Sequence, residues 1–412
     1  MRNSLLTFAV IAALASGAWS VEAQAPQPPD PKERPAPVAE TSEGRQALAA
    51  AQAKLAIDLI ERLSKPDNAD TTISPASLAS ALAIVSEGAD ANMKKAIGKA
   101  MGFGAADVTK SISLLGEARK ALAADNRGLF QFADRIVFAP GVAPAPDMLE
   151  RLNQAKVNYS QKDLSKPEVA AGIDAWVKEI TKGMIPEILG GPLEKASFVA
   201  LNALHFKGKW KTPFDPKLTA SAPFTGADGE SEDVAMMRAP EAQRAYRTEK
   251  NFIGVDLPFS DERFSLVVVT TTGKPLAAKD FAKTADWLSG AGFAQRKGDL
   301  TLPRFKVSGR FELLPTLDAM GLDKGRRSAT ALEGFGKGTV LSQVLQRAAI
   351  DVDEEGAAAA AATAVIATRA LEQDDSLHMV VDRPFVFALR DRESGMILVA
   401  GYVGEAPKSK LE

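Results

Sequence analysis

Apolar residues recur at helical spacing at Leu48, Ala51, Leu55, Leu59, Ile60 and Leu63, and Pro66 with Asp67 closes the run, which predicts the first helix of the folded part. A second helix is predicted to start at Ser74, a hydroxyl N-cap followed by Pro75 at the first helical position. Its apolar face is small (Ala81, Leu82, Ala83, Val85), as a helix packed closely beneath a sheet requires. Residues 128–138 alternate as a strand, 146–159 read as helix, and Ile173, Trp176, Val177 and Ile180 mark a further helix stopped at Gly183. Phe198–Trp210 is predicted as a buried strand with a glycine turn, 252–270 as a hairpin, Leu300–Val307 as one strand and Leu313–Met320 as a helix. The chain closes with strands at 383–390 and 395–401 joined by a polar turn at 391–394. There is no internal repeat, and helices and strands mix without a βαβα rhythm, so the predicted class is α+β.

One stretch fits no ordinary pattern. Asp351-Val-Asp-Glu-Glu-Gly is followed by six alanines, Ala357 to Ala362, then by Thr363, Val365 and Ile366, and finally by Arg369 and a polar tail. The alanines favour helix, whereas the β-branched residues favour strand. With no large side chain on either face, the segment could also enter between two existing strands without overpacking their neighbours.

Composition narrows the setting. The 412 residues are 46% hydrophobic and 25% charged with a net charge of −2, enough for a sizeable core. No long basic block points to nucleic acid or an anionic membrane as the main partner. Residues 1–23 have the form of a secretory signal: Arg2, an apolar run from Leu5 to Ala15 too short for a membrane span, and a small-residue cleavage site at Val21-Glu-Ala23. Residues 24–40 form a proline-rich linker, with Pro26, Pro28, Pro29, Pro31, Pro35 and Pro37. A single domain at 41–408 is expected after export to a periplasm or the extracellular space, and without cysteine it must be stabilised by packing alone.

The residues argue against several catalytic classes. His205 and His378 are the only histidines; there is no cysteine, no G-x-S-x-G elbow and no H-E-x-x-H pair. Both histidines are read as structural. Gly334-Phe-Gly-Lys-Gly-Thr339 fails the phosphate-loop spacing and is read as a turn. No cofactor and no metal are expected, and the chain is read as a non-enzyme.

The landmarks together resemble the serpins, over roughly Ala47 to Gly404. Ser74-Pro-Ala-Ser77 with Gly88-Ala89 is similar to the family's S-P-x-S helix, and Asp174-Ala-Trp-Val with Thr181-Lys-Gly183 to its I-N-x-W-V…T-x-G segment. Asn202 through Phe206-Lys-Gly-Lys-Trp210 with Pro213-Phe214, then Met236-Met237, Leu302-Pro-Arg-Phe305 and Pro384-Phe-Val-Phe387, follow in the family's order. There are departures. Gln346 stands where many members carry histidine, Asp174 replaces asparagine, and Ala358 replaces a common acidic residue.

The resemblance implies the serpin fold: a large central β-sheet, two smaller sheets, about eight or nine surrounding helices and an exposed reactive loop. The hinge would comprise Glu354, Glu355, Gly356, Ala357, Ala358, Ala359, Ala360, Ala361, Ala362 and Thr363, with hinge and loop spanning 354–376. Ser74, Ser77, Asn202, Trp210, Arg304 and Gln346 would govern sheet opening. The implied activity is suicide inhibition of a serine protease, which cleaves the loop, forms an acyl ester and is trapped as the loop enters the central sheet of a metastable monomer. Family spacing puts the reactive bond at Ala370–Leu371, suited to elastase-like or subtilisin-like proteases; a loop one residue shorter puts it at Arg369–Ala370, suited to trypsin-like ones. Glu354 either pairs with Arg304 near the insertion point or both are solvated. A non-inhibitory carrier or binding protein with the same fold is the alternative, and a secreted hydrolase comes third.

Overall fold

The computed structural model describes residues 42–64, 70–102, 129–154, 158–194, 196–357 and 376–408. The predicted signal (1–23), the proline-rich linker (24–40), hinge residues Ala358 to Thr363 and both candidate reactive bonds at 369–371 lie outside them.

A five-stranded sheet carries the start of the expected hinge. Its order is β11 (Phe305–Glu312), β12 (Leu341–Val352), β4 (Phe198–Phe206), β2 (Phe130–Phe138) and β3 (Asn158–Gln161). The central pair, β12 and β4, is parallel, with Leu341 opposite Phe198 at one end and Ala349 opposite His205 at the other. Both faces of β4 are buried. Phe198, Leu204 and Phe206 join the main core, whereas Val199, Leu201 and Ala203 pack with Ile173 and Val177 of helix α5 (Pro167–Ile180). This is the period-two alternation of a strand sandwiched between two layers.

The second sheet has nine strands: β1 (Thr71–Ile73), β16 (Ile397–Val403), β15 (Phe385–Asp391), β9 (Phe264–Thr271), β8 (Phe252–Pro258), β7 (Ser231–Glu249), β10 (Ala294–Pro303) and β14 (Leu377–Val380), with β6 (Ala220–Thr225) also on β7. The two smaller sheets expected from the sequence are thus continuous, because the 19-residue β7 serves both and bends at an irregularity opposite Gly298–Leu300. A two-stranded ribbon pairs β13 (Gly356–Ala357) with β5 (Gly208–Lys209).

Eight α-helices lie among the described residues: α1 (Ser42–Leu63), α2 (Pro75–Glu87), α3 (Ala91–Ala100), α4 (Pro146–Gln154), α5, α6 (Ala285–Leu288), α7 (Leu314–Ala319) and α8 (Asp323–Arg326). Three boundaries differ from expectation. The helix predicted over 146–159 ends at Gln154, and Asn158–Gln161 instead forms edge strand β3 parallel to β2. The helix predicted from Ile173 begins at Pro167. The single strand predicted at 300–307 is two strands of different sheets, β10 and β11, separated by Arg304 alone.

Candidate functional site

The six residues expected to govern sheet opening fall into two groups along the β4–β12 pair. Midway, Gln346 of β12 stands opposite Asn202 of β4, both buried. The Gln346 Oε1 accepts from the Ser74 N–H and its Nε2 donates to the Ser74 carbonyl, each at 2.9 Å. Ser74 is the N-cap of α2: its Oγ accepts from the Ser77 N–H at 3.2 Å and donates to the Leu398 carbonyl at 2.6 Å. Glutamine in place of the family's histidine therefore ties β12 to α2 through both polar atoms of its amide.

The second group closes the end of the pair from which the loop departs. Trp210 stacks on Phe259 with ring centroids 4.5 Å apart and planes at 13°, and its Nε1 donates to the Asp353 carbonyl at 2.9 Å. Its backbone N–H donates to the Glu355 carbonyl, and the Phe214 N–H to the Glu354 carbonyl, each at 2.8 Å. Glu354 is 4% exposed and accepts from the Arg304 Nε at 2.9 and 2.7 Å, from the Arg304 Nη2 at 2.7 Å, and from the Thr219 hydroxyl. Of the two readings of Glu354 and Arg304, the structure realises the ion pair. Burial alone would raise the Glu354 carboxyl, but the Arg304 and Thr219 hydrogen bonds outweigh it and hold the group below its ordinary value.

The turn at the start of the expected hinge is built by Asp353. Its Oδ1 accepts from the N–H groups of Glu355 and Gly356 at 2.9 and 3.1 Å, and its own N–H donates to the Gly356 carbonyl at 2.9 Å. Burial raises the Asp353 carboxyl, a push that these N–H groups only partly offset. Gly356 has φ +148°, and a Cβ there would lie 2.1 Å from the Gly208 carbonyl oxygen, so only glycine fits. Gly356 and Ala357 then pair with Lys209 and Gly208 as the β13–β5 ribbon.

Sequence reasoning missed Thr219 and Asp353. Thr219 reaches Glu354 across 135 positions and carries no local signal; the Asp-x-x-Gly spacing of 353–356 is the one clue to the turn. Asp174, where the family's asparagine was expected, accepts from the Ile188 and Leu189 N–H groups at 2.7 Å and the Gly190 N–H at 2.9 Å, fastening the chain after α5. His378 is largely exposed and pairs with Asp299 at 2.8 Å; the side chain of His205 lies outside the described residues. Among the described residues no cluster of His, Asp and Glu could hold a metal, and no helix is long and apolar enough to cross a membrane.

Known proteins share this fold. Residues 50–405 match the profile of the family described as serpin (serine protease inhibitor). The chain is 28% identical over 360 residues to glia-derived nexin of Mus musculus, covering 82% of this chain and 87% of that protein. It is 29% identical over 378 residues to leukocyte elastase inhibitor of Bos taurus, covering 86% and 98%. The thermophilic serpin tengpin in its native state superposes with a TM-score of 0.76 at 24% identity, over 89% of this chain and 95% of that one. Human thyroxine-binding globulin superposes at 0.75 with 22% identity, over 89% and 100%. With the profile spanning nearly all of its folded part, this chain belongs to the serpin family.

Proposed function

We propose that the protein is an exported suicide-substrate inhibitor of serine proteases, with its reactive bond at Ala370–Leu371. The observation that carries the reading is the β4–β12 pair: two parallel strands, bonded directly to each other, with the hinge leaving the end of β12 and folded over their open end. Inserting a strand between them exchanges one ladder for two. About ten inserted residues at roughly 1 kcal/mol of net hydrogen bonding each amount to on the order of 10 kcal/mol, comparable with the whole stability of a typical domain. An intact chain with that gain unrealised is metastable and held by kinetics. Small, uncharged residues from Ala357 to Val365 suit insertion, since no charge is carried into the core. Some fifteen residues at ~3.3 Å each span roughly 50 Å, enough to carry an acylated protease along the molecule.

An alanine before the cut suits a small specificity pocket, and the relative that inhibits leukocyte elastase supports that class. A cut at Arg369–Ala370 would direct the protein to trypsin-like enzymes instead. Thyroxine-binding globulin keeps the carrier reading in view, but the small-residue hinge of this chain favours inhibition. Residues 1–23 and 24–40 are read as export signal and tether.

The test is incubation of the full-length protein with a panel of serine proteases. A detergent-resistant complex, a higher melting temperature after loop cleavage, and a C-terminal peptide beginning at Leu371 on mass spectrometry of the denatured complex are expected. Cleavage with neither complex nor thermal gain overturns the inhibitor reading and leaves the carrier.

A further inference from the structure

The antiparallel pair β7–β10 sets two arginines directly opposite each other: Arg244 faces Arg296. Like charges in that relation destabilise a sheet, and the surrounding pattern does not cancel them. The acidic residues of this ribbon are already engaged, Glu241 by Lys297, Glu249 by Arg247 at 2.9 Å and Asp299 by His378 at 2.8 Å. Arg244 donates through Nη1 to the carbonyls of Pro240 and Gly298, at 3.0 and 2.8 Å, and Arg296 donates to the Thr248 hydroxyl at 3.2 Å. Neither has a carboxylate partner among the described residues. These bonds fix both guanidinium groups while leaving their charge uncompensated, with Arg296 exposed.

Their position ties them to the loop. Gly298, which receives the Arg244 bond, is the register partner of Leu377, the first residue of β14; a Cβ at Gly298 would lie 2.5 Å from the Leu377 carbonyl oxygen. Since β14 runs parallel to β10, Arg296 lies beyond Gly298 at the same end of the ribbon where the chain rejoins the sheet after the loop. From Leu371 to Leu377 is at most about 20 Å of extended chain. The bond thus lies within about 20 Å of Leu377, and a protease engaging it over some 800 Å², a patch of roughly 16 Å radius, can reach this cation pair with its rim.

We propose that Arg244 and Arg296 form a docking contact for an acidic surface on the protease that cleaves the loop. The proposal rests on the bait reading of the loop but not on trapping. Charges at the rim of an interface act chiefly on the association rate and its salt dependence, so the pair selects among proteases that share one pocket specificity.

The experiment measures the total rate of loop consumption, complex plus cleaved product, for the full chain and its Arg296→Gln, Arg296→Lys and Arg327→Gln variants. The probes are serine proteases of acidic and basic isoelectric point that cleave the loop, at 50 to 300 mM salt. Arg296→Gln is expected to slow acidic proteases about three- to tenfold at low salt and flatten their salt dependence. Arg296→Lys should restore the rate, and Arg327→Gln, an equal loss of charge elsewhere, should change nothing. Equal rates and salt slopes for wild type and Arg296→Gln with every protease overturn the proposal, as does a loss confined to retention on a sulfated polysaccharide. Because cleaved product counts equally with complex, a chain that never traps still reports docking, so failure of inhibition and failure of this contact are read separately.

Discussion

Replacing Arg304 by alanine should loosen the hinge more than any other single truncation at the surface. The Glu354 side chain is 5% exposed and Arg304 is 30% exposed, so the variant strands a carboxylate in the interior with the Thr219 hydroxyl and its own backbone N–H but no counter-charge to serve it. Removing one partner of a buried pair costs about 3 to 5 kcal/mol; the partial exposure of Arg304 places this case near 3. For a domain of about 360 residues, with roughly 2.1 cal/mol/K of unfolding entropy each, 3 kcal/mol lowers the melting temperature by about 4 °C. The same figure, if the turn opens before insertion, accelerates hinge release by on the order of 150-fold. The assay is melting of intact and loop-cleaved protein at one scan rate, with insertion followed by the gain in thermal resistance. The intact form should lose about 4 °C and the cleaved form less, since the turn that holds Glu354 is undone by insertion. If the stranded charge is the cause, adding Glu354→Gln should recover most of the loss, a non-additivity that a cycle of the two variants measures. Equal melting of Arg304→Ala and wild type, or equal losses in the single and double variants, would refute the reasoning.

Gly356→Ala sets a Cβ against the Gly208 carbonyl at a backbone angle that L residues avoid, so the β13–β5 ribbon should detach at a cost of about 2 kcal/mol to the intact form, seen as faster insertion with the cleaved form unchanged. Gln346→Leu leaves the buried Ser74 N–H without its partner, whereas the Ser74 carbonyl keeps the Leu78 N–H at 3.0 Å, and should destabilise the intact form by about 1 to 3 kcal/mol on denaturant melting. Ala357→Arg should leave the loop cleavable while burying an unpaired charge on insertion, turning inhibitor into substrate; an undiminished yield of covalent complex counts against it. Glu354 has its folded value held below the ordinary 4.5, so its contribution is fully present above pH 4.5 and is lost as pH falls through that lowered value. The stability difference between wild type and Glu354→Gln should accordingly be flat above pH 4.5 and shrink below it.

Much of this was legible where the signal is local. The Ser74 cap with Pro75, the paired C-terminal strands and the small-residue hinge each depend on a few neighbouring residues, and the structure bears out the first two. The strand at 231–249 was not legible: Arg238, Glu241, Arg244, Arg247 and Glu249 interrupt its alternation, and its register is set by β6, β8 and β10 rather than by its own pattern. The edge strand β3 is too short and polar to announce itself and took the helical period of the residues before it. The break at Arg304 is invisible in Leu-Pro-Arg-Phe because apolar residues continue on both sides while the sheet beneath them changes. The site contacts that matter most, Thr219 to Glu354 and Trp210 to Asp353, join residues more than 130 positions apart.

On the proposed mechanism, that break at Arg304 lets one end of the loop move while the other stays. On one side Phe305 begins β11 opposite Val352, the last residue of β12, so the hinge end of the loop is held through the five-stranded sheet. On the other side Thr301 of β10 pairs with Val380 of β14, and the Val381 N–H donates to the Thr301 carbonyl at 2.9 Å, so the far end is held through the nine-stranded sheet. The Arg304 N–H bonds to the Ala235 carbonyl of β7 at 2.8 Å, anchoring its backbone on the nine-stranded side. Its guanidinium reaches across to Glu354. The only side chain at the joint therefore clasps the segment that must leave, while its backbone belongs to the sheet that must not. Releasing Glu354 frees the segment that follows β12, with β12 still paired to β11 and with β10 and β14 undisturbed. The fragment beyond the cut remains fixed by β15 and β16, whose apolar residues are fully buried. Under that mechanism insertion requires the Glu354–Arg304 pair, the turn at 353–356 with its bonds to Trp210 and Phe214, and the β4–β12 ladder to yield, but not the parting of the two sheets.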